Sequence, residues 1–117
     1  STGNQNILLT ERGTTFGYES LVTDVRSISM MQKTGYPVIF DATHSAQMPG
    51  ISGDITGGIR EYIPSLAKAS VAAGCNGVFL EVHDNIDEAK SDAATQWPLD
   101  KLSDLLKTLK EIHQAIQ

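Results

Sequence analysis

Three apolar stretches of the sequence each end in ionisable side chains that could bind a ligand. Arg12 follows "ILLTE", His44 ends "PVIFDATH", and Glu81 comes directly after "GVFL". Such apolar runs are typical of buried parallel strands, whose carboxyl ends form the ligand-binding edge of a fold. Because burying an unpaired charge costs several kcal/mol, we expect Glu81 to lie beside a positive group at that edge.

A divalent cation is the best candidate for this positive group. Imidazole nitrogen from His44 and carboxylate oxygen from Glu81 suit Zn²⁺, Mn²⁺, Fe²⁺ or Co²⁺. Asp92, in "KSDAATQ", lies in the following loop and could fold back as a third ligand. The spacing of the three residues matches no local ligand motif. A structural ion pair between Arg12 and Glu81 therefore explains the carboxylate equally well.

The Arg12 guanidinium is suited to binding an anionic small molecule. Its planar fork of donors matches a carboxylate or a phosphate. The alternative is an ion pair with Glu11 or Glu81, which would make Arg12 structural. Among the remaining candidates, we expect His83 to support a ligand rather than act as one, His113 to be solvated, and Cys75 to be structural.

The hydrophobic periodicity predicts an α/β fold in which strands and helices alternate. The predicted strands cover 7–12, 37–43 and 77–83, and the predicted helices cover about 19–33, 60–73 and 99–116. Near-continuous apolar strands indicate a parallel sheet covered by helices. Three βα units of a (β/α)8 barrel are the favoured architecture, with an open doubly wound sheet as the alternative. A complete barrel needs roughly 250 residues, so we expect the chain to be one partial domain, 1–117, that lacks the amino-terminal half.

The segment Ser45–Ile59 is predicted to be a long loop without regular structure. It is rich in glycine and shows no apolar periodicity. Loops of this length inside compact domains are commonly functional. Its position directly after His44 favours an active-site lid, and a tolerated surface insertion is the alternative.

Composition excludes several classes of partner. The 117 residues carry a net charge of −5 and no Lys/Arg-rich run, which argues against nucleic acid or an anionic membrane as the main partner. No apolar stretch approaches the roughly 20 residues that span a bilayer. A single cysteine excludes an internal disulfide and fits a reducing cytoplasm. Because the sequence starts without Met and just ahead of a strand, we expect it to be part of a longer polypeptide.

Four motifs in order resemble the 3-deoxy-D-manno-octulosonate 8-phosphate synthase family across nearly the whole chain. The matching motifs are "ERGTTFGY", "PVIFDATHSAQ", "GGIREYIPSLAKASVAAG" and "GVFLEVHDNIDEAKSDAATQWPL". The resemblance implies the last three βα units of a (β/α)8 barrel. It also implies a bacterial cytoplasmic transferase of lipopolysaccharide precursor synthesis, which condenses phosphoenolpyruvate with arabinose 5-phosphate and releases phosphate.

The resemblance also implies a role for each candidate residue. His44, Glu81 and Asp92 would hold a divalent metal of the Zn, Fe, Mn or Co type. His44 and Asp92 would be catalytic, and Arg12 and Gln47 would bind substrate. "SDAATQ" is closer to the metal-dependent branch of the family, chiefly through Gln96, although Ala94 and the "HDNI" segment depart from common family patterns.

The resemblance further implies partners and leaves alternatives. We expect the remaining amino-terminal part of the barrel, a homo-tetramer and no organic cofactor. The nearest alternative is 3-deoxy-D-arabino-heptulosonate 7-phosphate synthase, which shares the fold, phosphoenolpyruvate and a similar metal site. An alternative from a different class is a non-catalytic α/β binding module, in which Arg12 and Glu81 form a structural ion pair.

Overall fold

A parallel three-stranded sheet with helices packed against it carries the candidate site. The computed structural model describes residues 2–15, 20–52 and 55–117. In chain order the elements are β1 (Leu9–Glu11), α1 (Arg26–Gln32), β2 (Val38–Asp41), β3 (Gln47–Ser52), β4 (Ile55–Gly58), α2 (Ile63–Ala72), β5 (Gly77–Phe79), β6 (Val82–His83), β7 (Trp97–Pro98) and α3 (Leu102–Ala115). Strands β1, β2 and β5 are parallel and adjacent in the order β1-β2-β5. The predicted α/β class with parallel strands is therefore confirmed.

The register places apolar side chains of neighbouring strands on the face that the helices cover. Leu9 lies beside Val38, and Phe40 lies beside Val78. Val38 and Phe40 are fully buried. They pack with the buried residues of all three helices, Ile28, Ile63, Ala67, Val71, Leu105 and Leu109. Alternation along each strand then directs the intervening residues to the opposite face of the sheet.

The opposite face of the sheet is open among the described residues. Thr10 and Phe79 alternate with the buried positions, and Phe79 is 43% exposed. Leu8, just ahead of β1, is 62% exposed. The outer edges of β1 and β5 pair with no other strand in the described part of the chain. Further strands normally pair at free edges of this kind. An exposed face that carries large apolar side chains is normally covered by other elements.

The prediction of a helix over 19–33 was wrong in its first part. α1 begins only at Arg26, and the chain before it bridges Val22 to Thr14 in antiparallel fashion. Val22 and Val25 are exposed, so their helix-like spacing marks no buried face. The Asp24 carboxylate accepts a hydrogen bond from the backbone N–H of Arg26 at 3.1 Å, and this local bond fixes where the helix begins. Residue 19, the first of the predicted helix, lies outside the described residues together with 16–18.

The prediction of an irregular loop over Ser45–Ile59 was also wrong. A short 3-10 helix, His44–Ala46, leads directly into β3, and β3 pairs antiparallel with β4. Gln47 lies opposite Gly58, and Ser52 lies opposite Ile55. A two-stranded hairpin gives a weak apolar signal when one of its strands contains two glycines, as β4 does. Residues 53 and 54 lie outside the described part of the chain.

The predicted strand over 77–83 is divided into two short strands. β5 ends at Phe79, and β6 pairs with β7 in a separate parallel ladder. The other strands are shorter than predicted, and β2 ends at Asp41 because the Asp41 carboxylate accepts the backbone N–H of His44 at 2.9 Å and closes a turn. Because β2 and β5 end early, the residues that follow them, His44 and Glu81, lie close to each other.

The second and third predicted helices are confirmed with later starts. The 3-10 turns Arg60–Tyr62 and Leu99–Lys101 precede α2 and α3. α2 ends before Gly74, whose φ of +93° suits glycine at this position. No helix among the described residues is long and apolar enough to cross a membrane.

Cys75 follows α2 and belongs to the hydrophobic core. Its side chain is packed among the buried apolar residues and is only 5% exposed. Burial raises the pKa of the Cys75 thiol above its ordinary value, because a thiolate is poorly solvated there. The thiol is free and lies in the core, as expected of a structural cysteine.

Candidate metal centre

Three side chains that the sequence analysis proposed as ligands meet at the carboxyl edge of the sheet. His44 Nε2 lies 3.3 Å from Glu81 Oε1 and 3.6 Å from Asp92 Oδ2. All three ligand atoms lie within 4.8 Å of one another. Ligands bound tetrahedrally at about 2.1 Å from one ion would lie about 3.4 Å apart. The spacing of the three atoms therefore suits a single small cation.

Asp41 fixes the orientation of the His44 ring. One carboxylate oxygen accepts the His44 backbone N–H, and the other lies 2.7 Å from His44 Nδ1. When Nδ1–H donates to Asp41, the lone pair of Nε2 is directed at Glu81 and Asp92. A carboxylate that holds the far nitrogen of a metal-binding histidine is a recurrent feature of protein metal sites. No role was predicted for Asp41 from the sequence, although an Asp three residues before a His at a strand end was an available signal.

Glu81 is held by two neighbours that the sequence analysis did not connect to it. Its backbone N–H donates to the buried Thr43 hydroxyl at 2.7 Å. Its Oε2 accepts a hydrogen bond from Gln96 Nε2 at 2.5 Å. The other oxygen, Oε1, faces His44. The Glu81 carboxylate is therefore fixed through one oxygen while the second remains directed into the site.

Asp92 is presented by a tight turn in a left-handed backbone conformation. Its φ is +49°, the only positive φ of a non-glycine residue among the described residues. Its carbonyl accepts the backbone N–H groups of Thr95 and Gln96 at 2.8 and 2.9 Å. The Asp92 carboxylate thereby folds back toward both Glu81 and His44, which precede it in the chain, as the prediction requires.

Gln47 connects the candidate ligand Asp92 to Arg12. Its Nε2 donates to Asp92 Oδ1 at 2.5 Å, and its Oε1 lies 3.5 Å from Arg12 Nη2 as a long hydrogen bond. Gln47 is buried, whereas Arg12 is exposed. An exposed guanidinium beside the ligands remains available for an anion.

The ion pair that would make Arg12 structural does not form in the described part of the chain. No acidic group lies within salt-bridge distance of Arg12 there. Glu11 instead accepts hydrogen bonds from the Gly13 backbone N–H at 2.7 Å and from the Ser27 hydroxyl at 2.5 Å. These contacts remove the main observation that would have favoured a non-catalytic module.

The negative charge of the carboxylates around His44 favours the binding of a cation. Three carboxylates, from Asp41, Glu81 and Asp92, lie within 4 Å of its ring nitrogens. No lysine or arginine forms a salt bridge with any of the three among residues 2–15, 20–52 and 55–117. A proton on Nε2 or a metal ion would each supply positive charge between the acceptors. The nitrogen and oxygen donor set fits a divalent transition metal.

The other histidines lie outside this group. His83 Nδ1 contacts Asp84 and accepts the Asn85 backbone N–H at 2.9 Å. His113 lies near the end of α3, is exposed and contacts Gln117. His113 is exposed, as expected, and neither residue belongs to the cluster that could hold a metal. His83 was expected to support a ligand, but its contacts among the described residues are with Asp84 and Asn85 and not with the three candidate ligands.

Comparison with known proteins links the whole chain to one family. A sequence model described as the DAHP synthetase I family matches residues 1–117. A protein of Acidithiobacillus ferrooxidans is 51% identical over 117 residues, covering 100% of this chain and 42% of that protein. A protein of Alkalilimnicola ehrlichii is 50% identical over 115 residues, covering 98% of this chain and 42% of the relative.

A third relative gives the same result. A protein of Xanthomonas campestris pv. campestris is 53% identical over 112 residues, covering 96% of this chain and 41% of the relative. All three relatives are named 2-dehydro-3-deoxyphosphooctonate aldolase. The chain thus spans about two fifths of the length of the curated relatives it matches.

Replacing Asp41 tests the orientation of the His44 ring. Asp41→Asn keeps the shape of the side chain but removes the charge that holds Nδ1–H. We expect the affinity of the whole protein for Co²⁺ or Zn²⁺ to fall about 10- to 100-fold, measured by titration of metal-free protein. Asp100→Asn, at an exposed position, is the matched control. Equal metal affinity in both variants would contradict the role of Asp41.

Proposed function

The chain belongs to the DAHP synthetase I family, and we propose that the protein carrying it condenses phosphoenolpyruvate with arabinose 5-phosphate and water. The products are 3-deoxy-D-manno-octulosonate 8-phosphate, an intermediate for lipopolysaccharide, and inorganic phosphate. The shared name of the relatives, 2-dehydro-3-deoxyphosphooctonate aldolase, supports this proposal because it denotes the same eight-carbon phosphorylated acid.

The observation that carries the proposal is the arrangement of His44, Glu81 and Asp92 beside Arg12. Three metal-ligating atoms lie within 4.8 Å of one another, and Gln47 contacts both Asp92 and Arg12. A site of this kind offers a cation and a guanidinium side by side. Such a pair suits a reaction between a sugar aldehyde and a substrate that carries a carboxylate and a phosphate.

We assign each residue a role on the basis of its contacts. His44, Glu81 and Asp92 would hold the divalent metal, which when bound polarises an oxygen or lowers the pKa of a water molecule. Asp41 would accept the Nδ1–H of His44, so that Nε2 presents its lone pair to the metal. Arg12 would bind the carboxylate or phosphate of phosphoenolpyruvate, and Gln47 would keep the guanidinium in register with Asp92.

Asp92 would also act in proton transfer. In the proposed reaction, C3 of phosphoenolpyruvate attacks the sugar aldehyde, water adds at C2, and phosphate leaves from C2. The water loses one proton as its oxygen bonds to C2, and the aldehyde oxygen gains one as C3 attacks. The second proton of the water leaves the C2 hydroxyl when phosphate departs and the ketone forms, and the phosphate takes it up. Gln47 engages Oδ1 of Asp92, while Oδ2 faces the site. That second oxygen keeps a lone pair beyond the one assigned to the metal and would accept a proton from the water through it.

We propose that the three βα units form part of a (β/α)8 barrel with the active site at the carboxyl ends of its strands. Sequential parallel order in β1, β2 and β5 suits a barrel, whereas a doubly wound sheet reverses strand order at its ligand site. The open sheet face with Thr10 and Phe79 would then line the barrel interior. Further strands, more basic residues for the substrate phosphates and a tetrameric assembly would come from polypeptide outside this chain.

The hairpin of β3 and β4 would serve as part of the wall or lid of the site. It follows the short 3-10 helix His44–Ala46 and begins with Gln47, so its position would affect both the proposed ligands and Arg12. Exclusion of water by such a segment would limit hydrolysis of reactive intermediates.

The closest alternative is a 3-deoxy-D-arabino-heptulosonate 7-phosphate synthase. Both reactions consume phosphoenolpyruvate and differ in the sugar phosphate. The whole protein, supplied with equimolar arabinose 5-phosphate and erythrose 4-phosphate, should form mainly the eight-carbon product, as measured by mass spectrometry. Predominance of the seven-carbon product would replace the proposed substrate, and formation of neither product would support a non-catalytic module.

Loss of a metal ligand should separate the metal site from a structural cluster. His44→Ala and Glu81→Ala should each weaken metal binding by more than about 100-fold and abolish turnover in the whole protein. His113→Ala, at an exposed position outside the cluster, should leave both quantities unchanged. Metal content by atomic emission and the initial rate provide the two measurements. Normal metal content in His44→Ala and Glu81→Ala would eliminate the proposed ligands.

Removal of the guanidinium at position 12 should affect phosphoenolpyruvate more than the sugar phosphate. A hydrogen bond to a charged group contributes about 1.5–3 kcal/mol, so Arg12→Ala should lower kcat/KM for phosphoenolpyruvate about 10- to 150-fold. Arg26→Ala is the control, because Arg26 is 77% exposed in its side chain and pairs with Asp24. An unchanged kcat/KM in Arg12→Ala would remove Arg12 from the substrate site.

A further inference from the structure

We propose that Arg60 is a positioning residue that holds the turn presenting Asp92 and Gln96 to the metal centre. This inference rests on the proposed function, since it concerns the same three ligands. Arg60 lies in the 3-10 turn between β4 and α2, far along the chain from the turn it contacts.

The Arg60 side chain joins two carbonyl groups of that turn. Its Nε donates to the Gln96 carbonyl at 2.6 Å, and its Nη2 donates to the Ala93 carbonyl. A guanidinium can make both bonds at once because its donors form a rigid planar fork. The two acceptors lie three residues apart, so Arg60 fixes the shape of the turn rather than a single point on it.

The turn needs this support because its conformation is unfavourable by itself. Asp92 adopts a φ of +49°, a region that L residues other than glycine rarely occupy. Its carbonyl accepts the N–H groups of Thr95 and Gln96, and these bonds close the turn from within. Local strain of this kind persists when the surrounding structure determines the backbone from outside, and the Arg60 fork provides such an external constraint.

Both ends of the turn act on the metal centre. Asp92 at one end supplies Oδ2, which lies 3.6 Å from His44 Nε2. Gln96 at the other end donates to Glu81 Oε2 at 2.5 Å. A change in the shape of the turn would therefore displace one ligand directly and a second through its hydrogen-bond partner. Through these two contacts Arg60 would act on two of the three proposed ligands, although its own hydrogen bonds go to backbone carbonyl groups.

The hairpin reinforces the same turn from the side of Arg60. A Cβ at position 58 would overlap Cγ2 of Thr95, so β4 and the turn are in close contact there. Gln47, opposite Gly58 in the hairpin, donates to the Asp92 carboxylate. Arg60 directly follows this hairpin, so a single segment of chain holds the turn through side-chain and backbone packing together.

Metal titration of the whole protein tests the role of Arg60. Arg60→Met removes the donors but keeps the apolar stem, and Arg60→Lys keeps the charge but loses the rigid planar fork of donors. We expect both variants to bind Co²⁺ about 10-fold more weakly than the wild type, with an altered visible spectrum of the bound ion. Arg26→Met, which loses the same charge at an exposed site, should bind Co²⁺ normally.

A chemical rescue experiment distinguishes loss of the Arg60 guanidinium from misfolding of the variant. In Arg60→Ala, millimolar guanidinium should restore Co²⁺ affinity, whereas equal concentrations of sodium or ammonium should not. Circular dichroism establishes that each variant is folded. Wild-type affinity and spectrum in Arg60→Met, or rescue by ammonium as well as guanidinium, would overturn the positioning role.

A second measurement separates this inference from the proposed metal function. Amide hydrogen exchange of Thr95 and Gln96, measured in metal-free protein, should be faster in Arg60→Met than in Arg26→Met. If the wild type binds no metal, the proposed function fails, and the exchange rates still decide whether Arg60 holds the turn. Unchanged exchange at both amides would overturn the inference by itself.

Discussion

The concentration of negative charge around one imidazole ring is the constraint on which the rest of the site depends. Asp41, Glu81 and Asp92 all approach the ring nitrogens of His44 within 4 Å. Acceptors at these distances repel one another unless a positive charge lies between them. The fold tolerates the arrangement because each carboxylate also accepts a hydrogen bond, and because Glu81 and Asp92 keep part of their side chains exposed to solvent.

The groups that hold Glu81 and Asp92 are neutral, so they leave the negative charge of the two carboxylates uncompensated. Gln47 and Gln96 donate to Asp92 and Glu81, and Thr43 orders the backbone of Glu81. A lysine or arginine in the same positions would compensate the charge and compete with a metal ion. Carboxamide donors fix the geometry while leaving the negative charge available. The positive side chains nearby are used differently, since Arg12 stays exposed and Arg60 engages backbone carbonyl groups.

Features that depend on one segment of the chain were predicted from the sequence, and features that depend on contacts between segments were not. The parallel α/β class and the helices over 63–72 and 102–115 followed from periodicity, because burial of a repeating face is encoded within each segment. The helix expected from residue 19 and the loop expected over 45–59 were wrong. In the first case Val22 and Val25 have the spacing of a buried helix face, although both side chains are exposed. In the second, strand pairing across a glycine-rich hairpin stabilised a structure that single-segment patterns indicate poorly.

The sequence by itself determined the chemical inventory of the site: one imidazole and two acids suited to a metal, and a guanidinium suited to an anion. The order of its motifs along the chain and their residues also indicated the family. The tertiary structure decided which groups meet. Asp41 faces His44 because β2 stops there and turns, and Gln96 reaches Glu81 because the chain reverses at Asp92. Contacts between distant residues depend on the closure of several turns at once, and no single segment encodes them.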